Sequence, residues 1–198
     1  MKNTLFEFLG RYISLSQEEK NAILALDIFH SFKKGTVLLK EGQYSVNEYF
    51  VLQGCIRTYY IIDGEEKTTE FYTETEGITP ACVHTKAASE YYIACVEDTI
   101  LIVSDSSMEA EIFEKFPKFQ PLCRVLSEQL IVNKQRSFDN FKISTPEQRY
   151  LDMLQNRPGL LQRVPQHQLA SYLGITPQSL SRLRARLSEK KQALPLLS

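Results

Sequence analysis

Residues 165–187, PQHQLASYLGITPQSLSRLRARL, constrain this chain more than any other stretch. Two helical runs flank a short turn at Gly174, Ile175 and Thr176. Thr176 suits an N-cap, because its hydroxyl can accept a first-turn backbone N–H. Pro177 suits the first helical position, where its missing N–H costs nothing. Leu180, Leu183 and Leu187 then recur at helical spacing and predict a buried stripe. Gln178, Ser181, Arg182 and Arg186 can point the other way, with no acid before Glu189. Amides, hydroxyls and guanidinium groups on one helix face are what a DNA major groove requires. In the first run Leu169 and Leu173 face inward, and Ala170 is small enough for a close helix crossing. Gly174 falls where the chain must turn, a left-handed position that glycine fills at little cost. Ile175 plugs the corner. An ordinary helical hairpin with a basic outer face would not need turn, cap, stripe and outer chemistry to agree, so the stretch reads as a helix-turn-helix.

The charge distribution supports that reading. Residues 1–144 carry 15 Lys/Arg and 21 Asp/Glu, a net of −6, whereas residues 161–198 carry six Lys/Arg and one Glu, a net of +5. Phosphate binding needs local positive charge, and here it lies on the predicted reader. No run of about 18 apolar residues predicts a membrane span. The N-terminus, MKNTLFEFLGRYISL, is too interrupted by charge for a secretory signal, so a cytoplasmic protein is expected. Cys55, Cys82, Cys95 and Cys123 share no C-x-x-C spacing, and His30, His84 and His167 show no ligand spacing. Buried reduced thiols are expected, with no metal and no cofactor. No phosphate-binding loop, nucleophile elbow or paired metal-ligand helix points to an enzyme.

Ahead of the reader the chain changes period twice. Residues 3–28 read as helices, with Ser16 and Glu19 forming a capping box. From Phe32 to Ser104 the period is two, with predicted strands at 36–40, 48–52, 55–62 and 67–73. Asp63-Gly64 suits a tight hairpin turn. Residues 91–96 and 99–103 read as a late pair across Glu97 and Asp98. Short strands punctuated about every ten residues predict a barrel or sandwich. Residues 118–141 predict one long helix, ~36 Å at 1.5 Å rise per residue. Its apolar residues, from Phe119 to Phe138, cover more than one face, so it should contact two things: its own β-domain and the same helix of a second chain. Thr145, Pro146 and Gln148 then predict a fresh helix start.

Several of these stretches resemble the Crp/Fnr family of bacterial transcription regulators. At the C-terminus the matching residues are Gln168-Leu169-Ala170, Leu173-Gly174-Ile175-Thr176 and Ser179-Leu180-Ser181-Arg182-Leu183-Arg184. In the β-segment they are Lys34-Gly35-Thr36, Lys40-Glu41-Gly42, Tyr49-Phe50-Val51-Leu52-Gln53-Gly54 and Ala94-Cys95-Val96-Glu97-Asp98-Thr99. The resemblance implies an α+β fold. A cyclic-nucleotide-binding-like domain at 1–117, a jelly-roll-like β-roll (double-stranded β-helix) with flanking helices, leads to a dimerisation helix at 118–142 and a helix-turn-helix domain at 143–198. It implies a homodimer on double-stranded DNA at a pseudo-palindromic site, with RNA polymerase as a further partner. By position in the motif, Gln178 and Arg182 are expected at base edges. Thr176, Pro177, Ser179, Ser181, Arg184 and Arg186 complete the expected DNA-binding set.

Two departures qualify the resemblance. Cyclic-nucleotide-binding members use a Gly-Glu pair and a following Arg to hold the cyclic phosphate. Here the order is Glu76-Gly77, the arginine position falls at about Ser89, and no Arg occurs between Arg57 and Arg124. That argues against a cyclic nucleotide and leaves the effector unidentified. The corresponding pocket would involve Glu76, Gly77, Lys86, Ser89 and Tyr91. The family also follows its reader with a β-wing. Residues 188–198 hardly accommodate two strands, so a truncated or absent wing is expected. The rival reading is a ligand- or protein-binding β-roll whose C-terminal helices dock a protein partner.

Overall fold

A computed structural model of the chain describes residues 2–193, with side chains described for 4–189. Helices α1 (Lys2–Leu9) and α2 (Gln17–Leu24) open it, followed by strands β1 (Phe29–Phe32), β2 (Val37–Leu39), β3 (Glu48–Gln53), β4 (Ile56–Ile62), β5 (Glu65–Tyr72) and β6 (Gly77–Ile78). Helix α3 (Ala81–Thr85) precedes β7 (Tyr92–Cys95) and β8 (Thr99–Ser104). The rest is helical: α4 (Ser106–Lys115), α5 (Phe119–Ile143), α6 (Pro146–Asn156), α7 (Leu160–Arg163), α8 (Gln166–Leu173) and α9 (Pro177–Ala193). Among the described residues no helix is long and apolar enough to cross a membrane.

The local signals form as expected. Ser16 accepts the Glu19 N–H while the Glu19 carboxylate accepts the Ser16 N–H, and Thr145 and Gln148 repeat this reciprocal cap. Asp63 and Gly64 both take positive φ, 52° and 79°, as a two-residue hairpin turn between twisted strands requires.

The strands make two four-stranded antiparallel sheets, ordered β1-β8-β3-β6 and β2-β7-β4-β5. Leu39, Tyr49, Val51, Ile56, Tyr72, Ile93, Cys95 and Leu101 pack between them. Here one expectation fails. Residues 91–96 and 99–103 do not pair across Glu97 and Asp98; β7 joins β2 and β4, whereas β8 joins β1 and β3. The chain crosses from one sheet to the other at that point. Gly54 marks the crossing: it holds φ +100°, and a Cβ there would stand 2.7 Å from Thr99 Oγ1 and 2.8 Å from Asp98 O. A tight dipeptide signals a chain reversal but not which strand becomes the partner, since pairing is decided by burial across the whole roll.

Each sheet has a covered outer face. Leu52 with Phe50, Ile100 and Ile102 packs under α1, α2 and the start of α5, through Leu5, Phe8, Ile23, Phe119 and Leu122. On the other sheet, Cys55, Phe71 and Val96 join the core of the C-terminal helices, which includes Tyr150, Met153, Leu169, Leu173, Leu180 and Leu183. The C-terminal domain thus docks on the roll. Beyond Leu126, α5 turns apolar side chains to solvent: Ile131 is 69% and Phe138 59% exposed.

Candidate nucleic-acid interface

The helix-turn-helix is α8, a tight corner and α9. Gly174 takes φ 72°, the Ile175 N–H reaches back to Ala170 O at 3.0 Å, and the Gly174 N–H to Ser171 O at 3.0 Å. These bonds satisfy carbonyls that a helix end leaves open. The Thr176 hydroxyl accepts the Ser179 N–H at 3.1 Å and also bonds the Ser179 hydroxyl at 3.0 Å. Leu169, Ala170, Leu173, Leu180 and Leu183 are buried, with Ile175 and Leu187 packed against them. The inner stripe therefore sets the roll of α9 about its own axis.

That roll decides what α9 shows. Gln178, Ser181 and Arg182 are exposed on its outer side, along with Pro177 and Ser179. Arg184 is instead half-buried, its guanidinium 5.7 Å from the Tyr150 ring centroid, and its buried Nε has no hydrogen-bond partner among the described residues. Arg186 is ion-paired with Glu147 at the start of α6. Of the three expected arginines, Arg182 stands on the outer face with no ion pair among the described residues. Lys190 and Lys191 continue helix α9 rather than opening a wing, and residues 194–198 of the expected wing region lie outside the described residues.

Three further arginines organise the domain, and spacing gave no signal for them. Arg149 donates to Phe141 O (3.0 Å), Ser144 O (2.7 Å) and Leu173 O (2.8 Å), and stacks 4.4 Å from the Phe141 ring centroid. One guanidinium thus closes the C-terminal ends of α5 and α8, where open carbonyls favour a cation. Arg157 reaches into the roll, to Glu76 (2.8 Å), Glu70 (3.4 Å) and Phe71 O (2.9 Å). Arg163 makes a two-pronged bond to Glu74 (2.9 and 2.8 Å) and binds Glu97 at 2.9 and 2.6 Å. Ser171 adds a bridge: its hydroxyl accepts the Thr68 N–H at 2.9 Å and donates to Glu66 O at 3.0 Å. Phe71 and Tyr172 meet between these bonds, ring centroids 5.3 Å apart.

The expected effector residues each have local partners, and of the five only Glu76 lines the cleft beside Arg157 and Arg163. Glu76 accepts the Thr73 N–H at 2.7 Å and faces Arg157. Gly77 pairs with Phe50, so close that a Cβ would lie 3.1 Å from Tyr49 O. Lys86 is an exposed left-handed cap of α3, with φ 55°. Ser89 is buried, donating from its hydroxyl to Tyr91 O at 2.8 Å, and the Tyr91 hydroxyl accepts the Ala81 N–H at 3.1 Å. The roll interior between the sheets is occupied by the chain's own aliphatic, tyrosine and cysteine side chains. A cleft of about 280 Å³ lies outside the roll, where Glu74 and Glu76 meet Arg157 and Arg163.

Burial pushes the Glu74 carboxyl upward, but the Arg163 guanidinium and the Gly54 and Glu74 backbone N–H groups outweigh it and hold its pKa below 4.5. A depressed folded pKa contributes stability above the unfolded value, and that stability is lost as pH falls through the folded one. Docking of the C-terminal domain is therefore expected to weaken below about pH 4.5, with Glu74→Gln flattening that acid limb of a thermal-melting series. An unchanged limb in the Gln variant would remove Glu74 from the account. Burial also pushes the Cys55 thiol up to about 12, under the docked helices.

No family model and no curated protein sequence matches the chain. Solved structures do match it in fold. A CooA mutant from Carboxydothermus hydrogenoformans is 17% identical with a TM-score of 0.65, over 88% of this chain and 82% of that one. The c-di-GMP responsive global regulator CLP of Xanthomonas campestris is 15% identical with a TM-score of 0.65, over 86% and 91%. FixK2 from Bradyrhizobium japonicum is 16% identical with a TM-score of 0.62, over 82% and 85%. These are Crp/Fnr regulators, and the likeness spans both the β-roll and the helix-turn-helix.

Proposed function

We propose that a chain with the Crp/Fnr fold and this outer α9 face is a sequence-specific DNA-binding transcription regulator. One observation carries the reading. The buried stripe of Leu180 and Leu183 leaves Gln178, Ser181 and Arg182 together on the open side of α9. A glutamine amide suits the paired donor and acceptor of adenine, and a guanidinium suits the two acceptors of guanine. Thr176 and Ser179 bind each other, so Thr176 serves first as the cap of α9. Arg184 and Arg186 hold the reader to its own domain through Tyr150 and Glu147.

The regulator acts as a homodimer in the cytoplasm, joined along the exposed apolar side of α5. Two readers then lie about one DNA turn apart, ~34 Å, on a pseudo-palindromic site. Its effect on transcription runs through RNA polymerase at the promoter. The absence of any arginine from residues 73–92 supports a regulator whose effector is not a cyclic nucleotide held by an arginine of that stretch.

The test is enrichment of duplexes from a random DNA library by the purified chain, followed by titration of the enriched site. Arg182→Ala should relax the preference at one base pair per half-site and cost ~1–3 kcal/mol of binding. An unchanged base preference would remove Arg182 as a reader. Failure of the wild-type chain to enrich any duplex would overturn the proposed function.

A further inference from the structure

Arg163 belongs to the basic C-terminal segment and Arg157 lies just before it, yet neither is on the outer face of α9. Both cross to the roll, over sequence separations of 81 and 89 residues to Glu76 and Glu74. Arg163 is held by two carboxylates from separate turns, Glu74 before β6 and Glu97 between β7 and β8. The loop that presents Glu74 and Glu76 is itself braced. Glu74 also accepts the Gly54 N–H at 2.8 Å, Thr75 N–H bonds Val51 O at 2.9 Å, and Thr75 takes a left-handed φ of 68°. A non-glycine residue in that conformation costs about 1–3 kcal/mol and persists only where its surroundings impose it. Beneath the ionic bonds lies an apolar contact in which Cys55, 0% exposed, packs with Phe71 and Val96 under the C-terminal helices.

We propose that Arg157 and Arg163 form an ionic clamp that closes the helix-turn-helix domain on the outer face of its own β-roll, and that they position the DNA reader rather than contact phosphate. The second half of this statement rests on the DNA reading proposed above; the first does not. The clamp leaves the Gln178–Arg182 side of α9 facing outward, so closure presents the reader instead of covering it. A reader held in one orientation loses less freedom on binding two half-sites than one that swings on residues 144–145. The braced loop reaches both arginines, beside Glu70 and Phe71 of β5, which hold Arg157, and Glu97, which holds Arg163. Any change in the roll that shifts residues 73–77 is thereby passed to the reader.

Cys55 supplies a readout that needs no DNA. Alkylation is followed at each cysteine of the full-length chain by peptide mapping, with Cys95, buried inside the roll, as the internal control for global unfolding. Arg163→Gln should speed labelling of Cys55 roughly 10–100-fold, the factor by which losing a charge-assisted pair shifts a local opening equilibrium, with Cys95 unchanged. The double variant Glu74→Gln/Glu97→Gln, which leaves every basic group in place, should do the same. Unchanged Cys55 labelling in both variants overturns the clamp, and so does a parallel rise at Cys95. On a duplex enriched by the wild-type chain, Arg163→Gln should lower affinity for the full site while keeping the salt dependence of wild type. A fall in the salt slope by about 0.9 would mark Arg163 as a phosphate contact and overturn the positioning role. If the wild-type chain enriches no duplex, the DNA reading fails, and the thiol labelling alone decides the clamp.

Discussion

Leu180→Ala is expected to unfold the helix-turn-helix domain while leaving the β-roll standing. Leu180 is 0% exposed and sits in the cluster with Leu169, Leu173 and Leu183. Removing a buried leucine side chain costs its transfer free energy and leaves a cavity, ~2–5 kcal/mol in total. A small domain has only about 5–15 kcal/mol of stability to lose, so the helix-turn-helix should melt ~10 °C or more below wild type. DNA binding should fall with it at physiological temperature. The effect differs in kind from that of Arg182→Ala, which changes base preference and leaves melting alone. Calorimetry with a gel-shift titration separates them. Wild-type melting in Leu180→Ala would mean that the leucine stripe is not the core of the reader.

Ile131→Asp with Phe138→Asp is expected to leave a folded chain that no longer pairs. The two residues lie seven apart on α5, two turns along one side, and are exposed in the single chain. Burying them against a second copy is favourable, at about 25 cal/mol per Å² of apolar surface; a carboxylate in the same place would have to be desolvated. Sedimentation should show the wild-type chain as a dimer and the variant as a monomer. Affinity for a two-half-site duplex should drop by ~10²–10⁴, because the second reader is no longer delivered at high local concentration. A monomeric wild-type chain, or a variant that still sediments as a dimer, would place the interface elsewhere.

Much of the architecture was legible because its causes are local. The capping boxes at Ser16 and Thr145, the Asp63-Gly64 turn and the length of α5 are each settled by a few neighbouring residues. The pairing of β7 and β8 was not legible, and they lie in different sheets. Alternation and turn residues say that a strand exists and where it ends. They do not say which of several strands of similar pattern will share its hydrogen bonds. The very short elements β6 and α3 carry too few residues to show a period at all.

The arginines divide the same way. On α9 the outward placement of Arg182 follows from the spacing of Leu180, Leu183 and Leu187, because a helix of 3.6 residues per turn ties every outer position to the inner stripe. The sequence by itself therefore determined the reader: its turn, its cap, its buried side and its exposed chemistry. It also showed a surplus of positive charge beyond residue 160, and that surplus alone suggested phosphate binding. Only the tertiary structure decided how the charge is used. Arg163 is taken by Glu74 and Glu97, Arg186 by Glu147, and Arg184 lies against Tyr150. Arg157, just before that segment, turns to Glu70 and Glu76. Ion pairs between residues more than 80 positions apart leave no periodic trace, because they depend on where two separately folded surfaces meet. The reader was written in one helical turn after another; what holds it in place exists only once the roll and the reader touch.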